Sequence, residues 1–93
     1  MSLTRDIERT VTIINQFGLH ARPAAEFVKL AGTFKAEVAV VKDDLEVNGK
    51  SIMGMMMLAA ECGSSITIRA SGAQAEDAVA SLAGLVESRF GEK

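Results

Sequence analysis

The stretch IERTVTIINQFGLHARPAAEFVKLAG, residues 7–32, changes its apolar period partway along, and that change decides the fold class. Ile7, Val11 and Ile13 alternate with Glu8, Thr10 and Thr12, the period-two signature of a strand buried on one face, and predict a strand over Ile7–Ile14. Asn15-Gln16-Phe17-Gly18 reads as a turn, with Gly18 able to take a positive φ. From Ala21 to Ala31 the spacing becomes helical: Ala21, Ala24, Ala25, Val28 and Ala31 share a face, and Gly32 supplies a C′ stop. So small a set of side chains implies a helix lying close to whatever it packs on.

Working outward, Lys35 to Lys42 reads as a second strand and Leu45 to Asn48 as a short third, with Asp43-Asp44 suiting a tight hairpin between them. Asn48-Gly49 breaks the strand, and Ser51 is placed to cap a short helix running through Leu58 or Ala60. Glu61-Cys62-Gly63 ends that helix. Ser64 to Ala70 forms a fourth strand with Ile66, Ile68 and Ala70 inward. A last helix spans Ala73 to Phe90, with Ser71 and Gln74 as a capping box, Glu76 and Asp77 at its positive end, and Gly91 at its exit. Ala78, Val79, Leu82, Val86 and Phe90 form its apolar stripe. The order β-α-β-β-α-β-α predicts an α+β open-faced sandwich: a four-stranded, mainly antiparallel sheet covered on one face by three helices and wet on the other.

Ninety-three residues bound the answer to one domain over residues 1–93, with residues 1–5 a flexible N-terminus or a remnant outside the fold. Apolar residues make up 48% of the chain and the net charge is only −2, which argues against disorder. One cysteine excludes an internal disulfide, and Cys62 with His20 cannot build a structural zinc site, so no metal and no cofactor are expected. Cys62 reads as a small apolar residue. The longest apolar run, Met55 to Ala60, is too short to span a bilayer, and no secretion signal is evident; a cytoplasmic protein is expected. Mild acidity without a basic stripe weighs against nucleic acid as a partner. Gly49-Lys50-Ser51 echoes the end of a nucleotide-binding loop, but Asp44 stands where that motif needs glycine.

Only Gly18-Leu19-His20-Ala21-Arg22-Pro23-Ala24 combines a titratable group, a glycine and a helix start. Pro23 belongs in a first helical turn, which puts His20 at or just ahead of the helix N-terminus. Either His20 or Arg22 is the cap, since a residue before proline resists the α conformation. Both choices leave free backbone N–H groups and the positive dipole end beside the imidazole, favouring the neutral ring with its lone pair. Those N–H groups and Arg22 would also welcome an anion. A neutral imidazole at an anion site is what a histidine needs to accept a phosphoryl group and pass it on. The bland alternative is an ordinary histidine near a helix cap.

The same segment resembles the active-site motif of HPr, the histidine-containing phosphocarrier family of the bacterial phosphoenolpyruvate-dependent phosphotransferase system. Val47-Asn48-Gly49-Lys50-Ser51-Ile52-Met53-Gly54 is similar to that family's regulatory segment, and the likeness extends from about Glu8 to Phe90. The resemblance implies that His20 takes a phosphoryl group at Nδ1 from phospho-enzyme I and delivers it to a histidine of an EIIA domain. It implies that Arg22 steadies the phosphoryl oxygens and that Gly18, Ala21 and Pro23 shape the phosphate-contacting loop and helix start. Such a protein is a covalent carrier rather than an enzyme with turnover of its own, and a monomer is the simplest expectation.

By the same resemblance Ser51 is the serine modified by HPr kinase/phosphorylase in many relatives, with a transcriptional regulator as a further partner. Serine is a preferred N-cap with or without a kinase, so the structural reading stands beside it. A regulatory module switched at Ser51, or a carrier of the nitrogen branch, are the competing functions; the Ser51 segment favours a carbon-linked form. Ile52, Met53 and Met56 are implied to be docking surface, and Phe17 is expected at its rim. Methionines in a short helix also serve as core filler, and a helix so short leaves at least one or two of Met53, Met55, Met56 and Met57 exposed.

Overall fold

Alternation builds the sheet and helical spacing builds its cover. The computed structural model describes residues 6–92; the expectation for residues 1–5 lies outside them. The elements are β1 (Asp6–Thr12), α1 (Ala21–Ala31), β2 (Glu37–Lys42), β3 (Leu45–Asn48), α2 (Ile52–Met57), β4 (Ser65–Ser71) and α3 (Ala75–Glu87), followed by a 3₁₀ turn at Arg89–Gly91. The strands lie in the order β1-β4-β2-β3, and all three neighbouring pairs are antiparallel. The fold is the expected α+β open-faced sandwich.

The register carries the pattern across the sheet. Val11 pairs with Ile66, and Val40 with Ile68, so the apolar members of three strands meet on one face. Val11, Val38, Val40, Ile66, Ile68 and Ala70 are buried there against Phe27 of α1, Met55 of α2, and Leu82 and Val86 of α3. Glu8, Thr10, Thr67 and Arg69 stand on the other face, where Thr10 and Thr67 share a hydrogen bond of 2.9 Å. Arg69 donates to Glu8 at 3.1 Å and to Glu46 at 3.0 Å, and chiefly the bond to Glu8 raises its pKa above the ordinary arginine value. Lys42 pairs with Leu45 across the two-residue turn, where Asp43 adopts φ +54°.

Four local expectations need correction. On α1 the buried residues are Pro23, Ala24, Phe27 and Ala31, whereas Ala21 is exposed and Ala25 and Val28 are half-buried. Phe27 has the largest apolar side chain on the helix, and burying it rotates the face away from the expected stripe of four alanines and Val28. Gly32 ends α1 in a right-handed conformation, φ −65°, continued by tightened turns in which Thr33 N–H donates to Leu30 O and Phe34 N–H to Ala31 O. Ser71 belongs to β4, and Gln74 caps α3 without a side-chain bond, so no capping box forms. Gln74 instead clips the α1–β2 loop: its Oε1 accepts from Lys35 N–H at 2.6 Å, and its own N–H donates to Lys35 O at 3.1 Å. Finally, α3 stops at Glu87, and Phe90 enters the core from the following turn, not from the helix.

Candidate functional site

β1 ends at Thr12, but the chain stays tied to β4: Ile13 N–H donates to Ser64 O, and Gly63 N–H to Ile13 O. That tether delivers the turn Asn15-Gln16-Phe17-Gly18 to the α2–β4 loop. Gly18 takes φ +65°, and its N–H donates back to Asn15 O at 3.1 Å. A side chain at position 18 would overlap Ala60 O and lie 2.9 Å from Glu61 Cα, so glycine is required by both torsion and space. Leu19, itself buried, donates its N–H to Ala60 O at 2.9 Å.

His20 is then the N-cap of α1, with φ −75° and ψ −177°, and its carbonyl accepts the first helical bond from Ala24 N–H at 3.0 Å. The choice between His20 and Arg22 is thus settled for His20, and Pro23 stands third in the helix. The N–H groups of Gly18 and Leu19 are occupied, and Pro23 has none. Among the described residues His20, Ala21 and Arg22 keep unpaired N–H groups at this helix end. Pro23 is buried and serves packing. Arg22 is exposed and forms no ion pair among the described residues, and the first turn holds no acidic side chain. The helix end therefore presents unpaired backbone N–H donors and an uncommitted guanidinium, an arrangement suited to an anion.

The imidazole is 41% exposed, and its Nε2 lies 3.2 Å from Oε2 of Glu92, whose side chain is 17% exposed. A carboxylate only accepts, so the proton of this bond sits on Nε2, and in the neutral ring Nδ1 carries the lone pair. Phe17 meets the ring edge-on with centroids 6.1 Å apart. Asn15, 1% exposed, donates from Nδ2 to Gly18 O at 2.7 Å and to Glu92 Oε1 at 3.4 Å. Its Oδ1 is buried without a partner among the described residues, which costs roughly 1–3 kcal/mol. Sequence reasoning missed both Asn15 and Glu92. Glu92 is 72 positions from His20, and no spacing rule joins them.

Ser51 caps α2, its Oγ accepting from Gly54 N–H at 3.0 Å. Met55 is fully buried, whereas Ile52, Met53, Met56 and Met57 are exposed, Met53 at 76%. Phe17 is 70% exposed and Ile14 40%. Ile14 was not anticipated as exposed apolar surface, and Met57, one of the methionines whose exposure the sequence leaves open, was not among the residues assigned to docking. A concavity of about 500 Å³ lies elsewhere, on the open face of the sheet among Ala39, Glu46, Lys50 and Arg69, and none of the anticipated site residues lines it. His20 faces outward from a surface, where a second protein can meet it.

A family described as "PTS HPr component phosphorylation site" matches residues 7–88. The phosphocarrier protein HPr of Cupriavidus necator is 44% identical over 86 residues, covering 92% of this chain and 97% of its own. The phosphocarrier protein NPr of Shewanella violacea is 37% identical and covers 92% and 94%. In the crystal structure of HPr-C-His from Thermoanaerobacter tengcongensis the likeness reaches a TM-score of 0.90 at 46% identity, over 94% of this chain and 98% of that one.

Proposed function

The chain belongs to the HPr family of phosphocarrier proteins of the phosphotransferase system, and from that premise we propose that His20 accepts a phosphoryl group from phospho-enzyme I and passes it to a histidine of an EIIA domain. The observation that carries this reading is the bond between the imidazole Nε2 and Glu92. With Nε2 engaged by Glu92, Nδ1 is the nitrogen that retains a lone pair, at a helix end with free N–H groups at Ala21 and Arg22. The lone pair of Nδ1 forms the new N–P bond as the bond to enzyme I breaks, and the bonding pair returns to the donor. The N–H groups and Arg22 bind the phosphoryl oxygens, which lowers the barrier through charge already in place. The P–N bond is labile, so the group moves on to the acceptor.

Carrier and partner share the work. Exposed Phe17, Ile52, Met53 and Met56 offer a flexible apolar surface that re-packs against unlike partners, first enzyme I and then EIIA, in the cytoplasm. The protein does this as a monomer. Incubation with enzyme I and phosphoenolpyruvate gives one acid-labile phosphoryl group per chain, and His20→Ala abolishes it. Labelling that survives in His20→Ala sinks the assignment. Presenting the labelled protein to sugar-branch and nitrogen-branch EIIA domains in parallel then identifies the branch.

A second reading rests on Ser51. Its hydroxyl caps α2 immediately before the exposed Ile52 and Met53. A phosphate there would add up to two negative charges beside the docking surface and weaken the meeting with enzyme I. Incubation with HPr kinase and ATP should give an acid-stable phosphate that Ser51→Ala lacks; no labelling with a competent kinase restricts the protein to relay work.

A further inference from the structure

We infer that Glu92 is the positioning residue of the phosphoryl acceptor: it holds the His20 ring with its proton on Nε2 and balances the imidazolium that forms when Nδ1 takes the phosphoryl group. This rests on the carrier reading above and deepens it. Three features converge on the carboxylate. Its Oε2 meets His20 Nε2 at 3.2 Å, and its Oε1 accepts from Asn15 Nδ2 at 3.4 Å, so both oxygens are directed. The backbone that brings it there is strained: Arg89, Phe90 and Gly91 adopt φ +60°, +54° and +74° in succession, two of them with side chains. Burial of Phe90 and the bonds from Gly91 N–H to Ser88 O and from Glu92 N–H to Arg89 O hold that turn. Asn15, for its part, leaves its Oδ1 unpaired while its Nδ2 serves both Gly18 and Glu92.

Charge explains what the arrangement does. Before transfer the neutral ring donates from Nε2 to an ionised, largely buried carboxylate. Nδ1 then uses its lone pair for the N–P bond while the Nε2 proton stays where it is. The ring thereby becomes an imidazolium attached to a phosphoryl dianion, with Glu92 as its counter-ion. No proton has to leave during the step, and the same cation is a good leaving group when the phosphoryl moves on. A residue that only packed the C-terminal turn would have no influence on where the ring proton sits.

The test uses the full chain. Imidazole ¹⁵N spectra of the unphosphorylated protein in alkaline solution should show a protonated Nε2 and a bare Nδ1. In Glu92→Ala the two resonances should draw together as the tautomers exchange. Glu92→Gln, whose side-chain oxygen still accepts from Nε2, should recover the separated pattern. The kcat/KM for labelling by phospho-enzyme I should fall about tenfold in Glu92→Ala, the effect of one charge-assisted hydrogen bond, at an unchanged unfolding temperature. Glu92→Gln should regain only part of that rate, because it restores the proton's position but not the counter-charge. An unchanged ¹⁵N spectrum in Glu92→Ala, or full recovery of the rate in Glu92→Gln, overturns the inference. The spectra need no enzyme I, so a failure of the carrier reading, seen as absent labelling of the unaltered protein, is separate.

Discussion

Gly18→Ala perturbs a position where torsion and space both demand glycine. At φ +65° an alanine costs roughly 1–2 kcal/mol through its Cβ. That Cβ also meets backbone, not a yielding side-chain tip: Ala60 O and, at 2.9 Å, Glu61 Cα. Relieving the overlap displaces the loop that receives the Leu19 N–H bond, adding about 1–3 kcal/mol of overpacking. A loss of about 3 kcal/mol lowers the melting temperature of a domain this size by roughly 10–25 °C. Gly63→Ala is the control. Gly63 has φ +95°, but nothing lies within 4 Å of its added Cβ, so it carries the torsional cost without the collision. The chain has no Trp or Tyr, so urea unfolding is followed by circular dichroism. Gly18→Ala should be less stable than Gly63→Ala by about 1–3 kcal/mol. Equal stability of the two variants within about 0.5 kcal/mol, the scatter of unremarkable substitutions, would refute the steric argument.

Other substitutions separate packing from recognition. Ser51→Ala removes the bond to Gly54 N–H and should cost about 1 kcal/mol in urea unfolding, while Ser51→Asp, which can still cap, should cost less. Phe27→Ala empties a fully buried site in the core and should cost about 3–5 kcal/mol, visible as a large fall in melting temperature. Met53→Ala, at a side chain 76% exposed, should leave stability within about 0.5 kcal/mol yet raise the KM for phospho-enzyme I severalfold in a labelling assay.

Much of this architecture is written in local pattern. Ile66, Ile68 and Ala70 face the core because alternate residues of a strand must share a face, and Ser51 caps α2 because its hydroxyl replaces a missing helical partner. The helix-start histidine was readable for the same reason, since Pro23 restricts where α1 can begin. What escaped were choices settled by competition in three dimensions. The buried face of α1 keeps Ala24 and Ala31 but turns from Ala21, Ala25 and Val28 toward Phe27, because burying a phenyl ring outweighs burying smaller groups. Gln74 has the chemistry of a capping box, but Lys35 of a distant loop claims its side chain. Glu92 reaches His20 only because Arg89 and Phe90 take left-handed torsions that no propensity would assign them.

The strand order has a consequence for how the protein comes into being. β4 lies between β1 and β2, so neither can pair with it before residues 65–71 have been synthesised. Glu8 and Arg69 meet across 61 intervening steps of sequence, the kind of distant pairing that slows folding. On the ribosome, β1 and the histidine that follows it wait for most of the chain, and the carboxylate that steadies the ring arrives later still. A nascent or truncated chain would expose the histidine without the frame that the folded chain gives it. On the carrier reading, the rate of phosphoryl uptake accordingly also reports on finished folding, because an incomplete chain lacks the sheet and the carboxylate that frame the ring.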